Sequence, residues 1–164
     1  MSASGVKITG TSFHGVTRLA DRMRRLGEAR ILVGIPKGKE NDDGESLALV
    51  GARVEFGVGH APLKLWIPER PFLRGGLRAA TPKLKGQAAG LARAVANERM
   101  SPDAAAETLG LSAAGEVKQY MTGPNFFPNA PSTIAKKGSS QPTIDEGQLR
   151  QAITHRVEHG GGGK

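Results

Sequence analysis

Two prolines three residues apart constrain the middle of this chain more than any other feature. Pro68 and Pro71 stand in the run Ile67–Arg74, which reads I-P-E-R-P-F-L-R. A proline fixes its own φ angle and disfavours helical backbone at the residue before it, so extended backbone should end at Ile67 and a corner should form at Arg70. Pro71 also suits the first turn of a helix, where its missing N–H is not needed. The run therefore predicts a corner between a strand and a helix.

The side chains of this corner indicate a docking role. Phe72 and Leu73 would anchor the new helix in a core, because they are the first large apolar residues after the second proline. Glu69, Arg70 and Arg74 are then left at the junction, although packing alone does not require three charges there. An apolar anchor inside a charged rim is the pattern expected of a surface that contacts another protein.

A helix is predicted just before the corner, over Leu47–Phe56. Phe56 is interpreted as a core residue, and Glu55 is a candidate ion-pair partner for one of the corner arginines. Trp66 is the only tryptophan, and it lies off the apolar face of the predicted strand that leads into the corner. It is either core on the far side of a sheet or an interface anchor, a role for which tryptophan is favoured.

The remaining periodicity predicts an α+β fold in a single domain. A small antiparallel or mixed sheet would carry packed helices, including an Ala-rich helical pair between residues 72 and 121 with a kink or break at Thr81–Pro82. The domain would span residues 1–159, with 160–164 as a disordered Gly-rich tail. The predicted strands are Val6–Thr9, Arg30–Ile35, Leu63–Ile67 and Ile153–His159. The predicted core anchors are Phe56, Phe72, Leu73 and Leu149.

One long segment, residues 124–143, has four prolines and no periodicity. A stretch of this length without its own secondary structure is usually functional or disordered, so we predict a flexible loop. Phe126 and Phe127 are apolar enough to dock on a neighbouring protein, and Lys136 and Lys137 would be exposed. These four residues are predicted contacts with a partner.

The net charge of +8 is divided into blocks. Residues 18–39 carry +5, residues 40–59 carry −4 and residues 60–100 carry +6. Blocks of opposite sign suit contacts with copies of the same chain, with acidic neighbours or with DNA, and an ordinary solvated basic surface is an equally open interpretation. Arg18, Arg22 and Arg25 line up on one face of a helix predicted over Gly15–Leu26. We predict that these three arginines mainly face protein rather than DNA.

Several functional classes find no support in the sequence. There is no cysteine, so disulfides, thiolate metal sites and thiol nucleophiles are excluded. His155 and His159 lie on one face of a predicted strand but about 13 Å apart, which is too far for one metal ion. No set of residues forms a catalytic pattern, so we expect no enzyme activity, no metal and no cofactor. No apolar run approaches the roughly 20 residues of a membrane span, and no membrane partner is expected.

Three stretches of the chain together resemble the tail-component family of tailed bacteriophages, the virion morphogenesis, neck or tail-completion proteins. The first is the run Ile67–Arg74, the second is A-R-V-E-F-G at Ala52–Gly57, and the third is P-T-I-D-E-G-Q-L-R-Q-A-I at Pro142–Ile153. Glu146 stands where the family pattern usually has threonine. The segment Val58–Trp66 is longer than the family pattern.

This resemblance implies a structural virion protein at the head–tail junction, assembled in the host cytoplasm. It would form a ring that completes the tail or joins it to the connector, with DNA passing through its lumen. The symmetry of tail tubes implies a hexamer. The implied partners are further copies of the chain, the connector or head-completion protein, the tail terminator and the tail-tube protein.

Two alternatives from other classes remain open. A basic DNA-binding module without a catalytic role fits the charge, but the chain has one tyrosine and one tryptophan for base stacking and no base-reading motif. An enzyme would need a constellation that the sequence does not display.

Overall fold

The structure of the protein is a computed structural model that describes residues 11–60, 65–123 and 147–160. In these three ranges the chain forms five helices and four strands, which confirms the predicted α+β class. In chain order they are α1 (Thr11–Gly27), β1 (Ala29–Gly34), α2 (Leu47–Phe56), β2 (Val58–His60), β3 (Leu65–Ile67), α3 (Phe72–Ala96), α4 (Pro102–Thr122), α5 (Gln148–Ala152) and β4 (Thr154–His159).

The two long helices α3 and α4 form an antiparallel hairpin that is the frame of the fold. Lys83 of α3 bonds to Glu116 of α4 at 2.5 Å, and Ser112 bonds back to Gln87 at 2.7 Å. The predicted break into two helices is wrong, because α3 continues as one helix through Pro82. Pro82 lies on the exposed side of α3.

The strands form two separate antiparallel pairs. β1 pairs with β4 from Ala29 opposite His159 to Gly34 opposite Thr154, and one face of this pair packs against α4. β2 and β3 form a hairpin of their own, so the strand that enters the corner does not join the β1–β4 sheet. The predicted strand Val6–Thr9 lies outside the described residues.

The core lies where α3, α4 and α5 meet. Phe72 is 0% exposed, and Leu149 is buried beside it, while the half-buried Leu73 packs against the same cluster. Phe56, also predicted as a core residue, is 65% exposed. The reason is helical rotation: α2 buries Leu47, Gly51 and Glu55 along one line, and the next residue points about 100° away.

Gly110 allows β4 to approach α4 closely. A Cβ atom built at Gly110 would lie 2.4 Å from Cδ2 of His155, whereas one at Gly115 on the same helix would meet nothing within 4 Å. We expect Gly110→Ala to lower the free energy of unfolding by about 1–3 kcal/mol through overpacking. We expect Gly115→Ala to raise it by about 0.5–1 kcal/mol, the helix preference of alanine. Urea unfolding of both variants tests this, and equal effects would contradict the close packing.

Candidate functional site

The carboxylate of Glu55 joins the end of α2 to the start of α3. Glu55 is 2% exposed, and its oxygens accept hydrogen bonds from the backbone N–H groups of Leu73 at 2.8 Å and Arg74 at 3.2 Å. The first N–H groups of a helix have no acceptor within it, and a carboxylate there also interacts favourably with the helix dipole. Pro71, at the N-cap position, makes no side-chain cap. A residue of the preceding helix therefore caps α3.

The guanidinium of Arg74 closes the corner on its outer side. It donates to Glu55 Oε1 at 2.8 Å, to the Glu55 carbonyl at 3.2 Å and to Glu69 Oε1 at 2.5 Å. The hydrogen bonds to Glu55 and then to Glu69 raise the pKa of Arg74, so the group stays charged. The same guanidinium lies 4.9 Å from the ring centroid of Phe56. The corner therefore presents Phe56, Arg74 and Glu69 in a fixed arrangement on its surface.

Arg70 does not belong to that surface. Its side chain is 9% exposed, and burial lowers its pKa from the usual value. Its backbone N–H donates to the carbonyl of Val54 at 2.9 Å, and its carbonyl accepts from Phe72 at 2.8 Å. The prediction that Arg70 is an interface residue is corrected: it is a structural part of the corner, because the turn carries it inward.

Beside the corner, α2 exposes a strip of apolar residues, here named the α2 strip: Leu49, Ala52 and Phe56. The three residues follow helical spacing and are all exposed, although the opposite side of α2 is buried against α5 and the start of α3. Exposed apolar residues are ordinary when single, but a continuous strip indicates a contact surface. The strip continues directly into the corner through Phe56.

Two of the three arginines predicted to face a partner are used within the chain. Arg22 bonds to the carbonyl of Met100 at 3.2 Å and to Glu98 at 3.0 Å. Arg25 makes two hydrogen bonds to Asp103, of 3.1 and 2.7 Å. They fasten α1 to the turn between α3 and α4 and to the first turn of α4, so these partners belong to the same chain. Arg18, one turn before Arg22 in α1, is exposed.

The described parts of the chain leave the apolar stripe of α1 uncovered. Val16 is 64% exposed and Leu19 41%, and Ala20 and Met23 are exposed beside them. Arg22 and Leu26 are half-buried on one side of α1, and the exposed apolar residues lie on another side. We name these four exposed residues the α1 face.

A line of cations on α3 is a feature that sequence analysis missed. Arg78, Lys85 and Arg93 are exposed on one side of the helix, and residues 72–96 contain no acid. In the described parts of the chain none of the three has an ion-pair partner, unlike Lys83, which pairs with Glu116. The spacing and the absence of acids were visible in the sequence, and they would have indicated a basic helix face.

The other predicted site residues are only partly covered by the structure. Trp66 lies in β3, where its backbone pairs with Gly59. The interface candidates Phe126, Phe127, Lys136 and Lys137, and the whole predicted flexible loop at 124–143, lie outside the described residues.

The two histidines of β4, which could support catalysis, are each paired with an acid of α4. His155 Nε2 lies 2.8 Å from Glu107, and His159 Nε2 lies 3.4 Å from Asp103, so each histidine of β4 faces a different acid of α4. Over 11–60, 65–123 and 147–160 there is no group of three or more residues that could hold a metal ion. No helix within those ranges is long and apolar enough to cross a membrane.

Comparisons of the chain with family models, with curated proteins and with solved structures gave no match. The family resemblance in the three sequence motifs therefore stays a prediction.

Proposed function

We propose that this chain is a structural virion protein of the head–tail junction of a tailed bacteriophage. Copies would form a ring, expected to be a hexamer, that completes the tail or joins it to the connector, with DNA passing through the lumen. The connector or head-completion protein, the tail terminator and the tail-tube protein would be its neighbours. The motifs at Ala52–Gly57, Ile67–Arg74 and Pro142–Ile153 motivate this assignment through their resemblance to the tail-component family.

The observation that best supports assembly is a pair of uncovered apolar surfaces on one chain, the α1 face and the α2 strip. Both are helix surfaces with large exposed side chains, whereas a monomer normally exposes such residues singly. Covering them with protein removes apolar area from water and favours association.

The two surfaces lie at opposite ends of the hairpin. α1 is fastened by Arg22 and Arg25 to the turn that follows α3, while α2 is fastened by Glu55 to the first turn of α3. With 25 residues, α3 is about 37 Å long. The α1 face of one chain therefore cannot cover its own α2 strip.

An arrangement of this kind supports head-to-tail association. When the α1 face of one copy covers the α2 strip of the next, every copy uses two different surfaces, and repetition closes into a ring or continues as a filament. We propose the closed ring. The corner stiffens the α2 strip, because Glu55 and Arg74 fix Phe56 relative to α3. A preorganised surface loses less conformational freedom on binding.

Single charge insertions test this arrangement. We expect the unaltered chain to form a discrete oligomer, and Leu19→Glu on α1 or Leu49→Glu on α2 to weaken association about 100-fold or more, since burying an unpaired carboxylate costs several kcal/mol. Each variant alone should be monomeric. An equimolar mixture of the two should give a dimer and nothing larger, because one intact pair of surfaces remains. Light scattering after size exclusion gives the masses.

Leu111→Glu is the matched control, because Leu111 is 67% exposed on α4 and belongs to neither surface. It should assemble as the unaltered chain does. An unaltered chain that stays monomeric at every concentration, and binds no junction protein, contradicts the ring. Normal assembly of both the Leu19 and the Leu49 variants would move the interface elsewhere.

A further inference from the structure

We infer that the exposed side of α3 binds the phosphate backbone of duplex nucleic acid without reading its sequence. The binding surface is the line of Arg78, Lys85 and Arg93, here named the α3 ridge. This inference deepens the proposed function by naming the surface that meets DNA, and it rests on that function for placing the ridge toward a lumen.

The geometry of the ridge suits a long polyanion. Arg78 and Lys85 are seven residues apart and Arg93 eight further on, so all three fall within about 80° of rotation around the helix axis. Along that axis they span about 22 Å. A duplex carries one negative charge per about 1.7 Å of its length, so a straight row of cations meets phosphates along the whole ridge.

Among the described residues, the three ridge cations have no ion-pair partner, whereas several other cations are paired within the chain. Arg22 and Arg25 are bound to Glu98 and Asp103 within the chain, and Lys83 is bound to Glu116. Arg74, at the start of the same helix, is held by two glutamates. The +5 block at residues 18–39 is a weaker candidate for DNA than the α3 ridge, because part of its charge is paired within the chain and the rest is spread over α1, β1 and the loop after β1.

The surface between the cations favours a duplex over other anionic partners. Its exposed residues include Ala79, Gly86, Ala89 and Gly90, which are small and allow a broad surface to approach closely. There is no aromatic residue between Arg74 and Arg93 on which single-stranded bases could stack. The exposed side also has no large apolar side chain to insert into a lipid bilayer.

Salt dependence of binding tests the ridge. The full chain is titrated with a 30-base-pair duplex of arbitrary sequence over a series of salt concentrations, and the slope of log K against log salt is measured. We expect Arg78→Gln, Lys85→Gln and Arg93→Gln together to make the slope shallower by about 2.7, which is 0.9 for each lost phosphate contact. A second duplex of different sequence should give the same affinity.

The matched control removes the same charge elsewhere. Arg30, Lys37 and Lys39 are exposed, and their triple glutamine variant should keep the slope of the unaltered chain. Equal losses in both triple variants would show that net charge alone attracts DNA, and an unchanged slope in the ridge variant would also overturn the inference. Tighter binding to single strands, to anionic vesicles or to polyglutamate than to the duplex would assign the ridge to that partner instead.

Oligomer mass separates this inference from the proposed function. A ridge variant that assembles normally but does not lose DNA affinity overturns only the inference. A chain that binds duplex through the ridge but never assembles overturns the ring and keeps the ridge.

Discussion

Replacing Phe72 by alanine should lower the free energy of unfolding by about 3–5 kcal/mol, the cost of removing a buried aromatic ring and leaving a cavity. Phe72 is 0% exposed and is packed with Val117, Met121 and Leu149 where α3, α4 and α5 meet. Denaturant unfolding followed by circular dichroism measures the change.

Phe56→Ala is the matched control for this variant, because it removes the same ring from a position that is 65% exposed. Its effect on unfolding should stay within about 1 kcal/mol, while its effect on self-association should be large if the α2 strip is an interface. A Phe56→Ala variant as unstable as the Phe72→Ala variant would contradict the exposure of the ring.

The second large effect is expected at Glu55. Glu55→Ala removes a buried carboxylate that accepts hydrogen bonds from Leu73, from the Arg74 backbone and from the Arg74 guanidinium. Losing a helix cap together with charge-assisted hydrogen bonds typically costs about 1.5–3 kcal/mol. We therefore expect a loss of that size, with fraying of the first turn of α3. Hydrogen exchange of the Leu73 and Arg74 amides reports the fraying directly.

Glu69→Ala tests whether the effect at Glu55 comes from its ion pair with Arg74 or from its buried carboxylate. Glu69 also pairs with Arg74, but its side chain is 55% exposed. Its removal should cost about 0–1 kcal/mol, as for a surface ion pair, and should leave both amides protected. Similar losses in the two variants would mean that Glu55 acts through the net charge at Arg74 rather than as the cap of α3.

Features fixed by local patterns were predictable from the sequence. α2 begins and ends at the predicted residues Leu47 and Phe56, and the paired prolines place the start of α3 at Phe72. The strand at Thr154–His159 followed from its alternating pattern. These elements depend on backbone restriction and on periodicity within a few residues.

Features fixed by distant contacts were not predictable. The pairing of Arg22 and Arg25 depends on where the α3–α4 turn comes to rest, and no local pattern contains that position. Phe56 was misplaced because a rotation of one residue moves a side chain from the buried to the exposed side of a helix. The inward turn of Arg70 likewise depends on its backbone bond to Val54.

The order of synthesis has a consequence for the pairing of β1 with β4. β1 leaves the ribosome after α1, but β4 is synthesised after all the other described helices and strands, so β1 lacks its partner β4 during most of synthesis. The α3–α4 hairpin needs only neighbouring segments and can form earlier. An unpaired strand is a template for pairing with another chain. Nascent chains on one polysome can therefore pair through β1 with a neighbouring chain until β4 emerges.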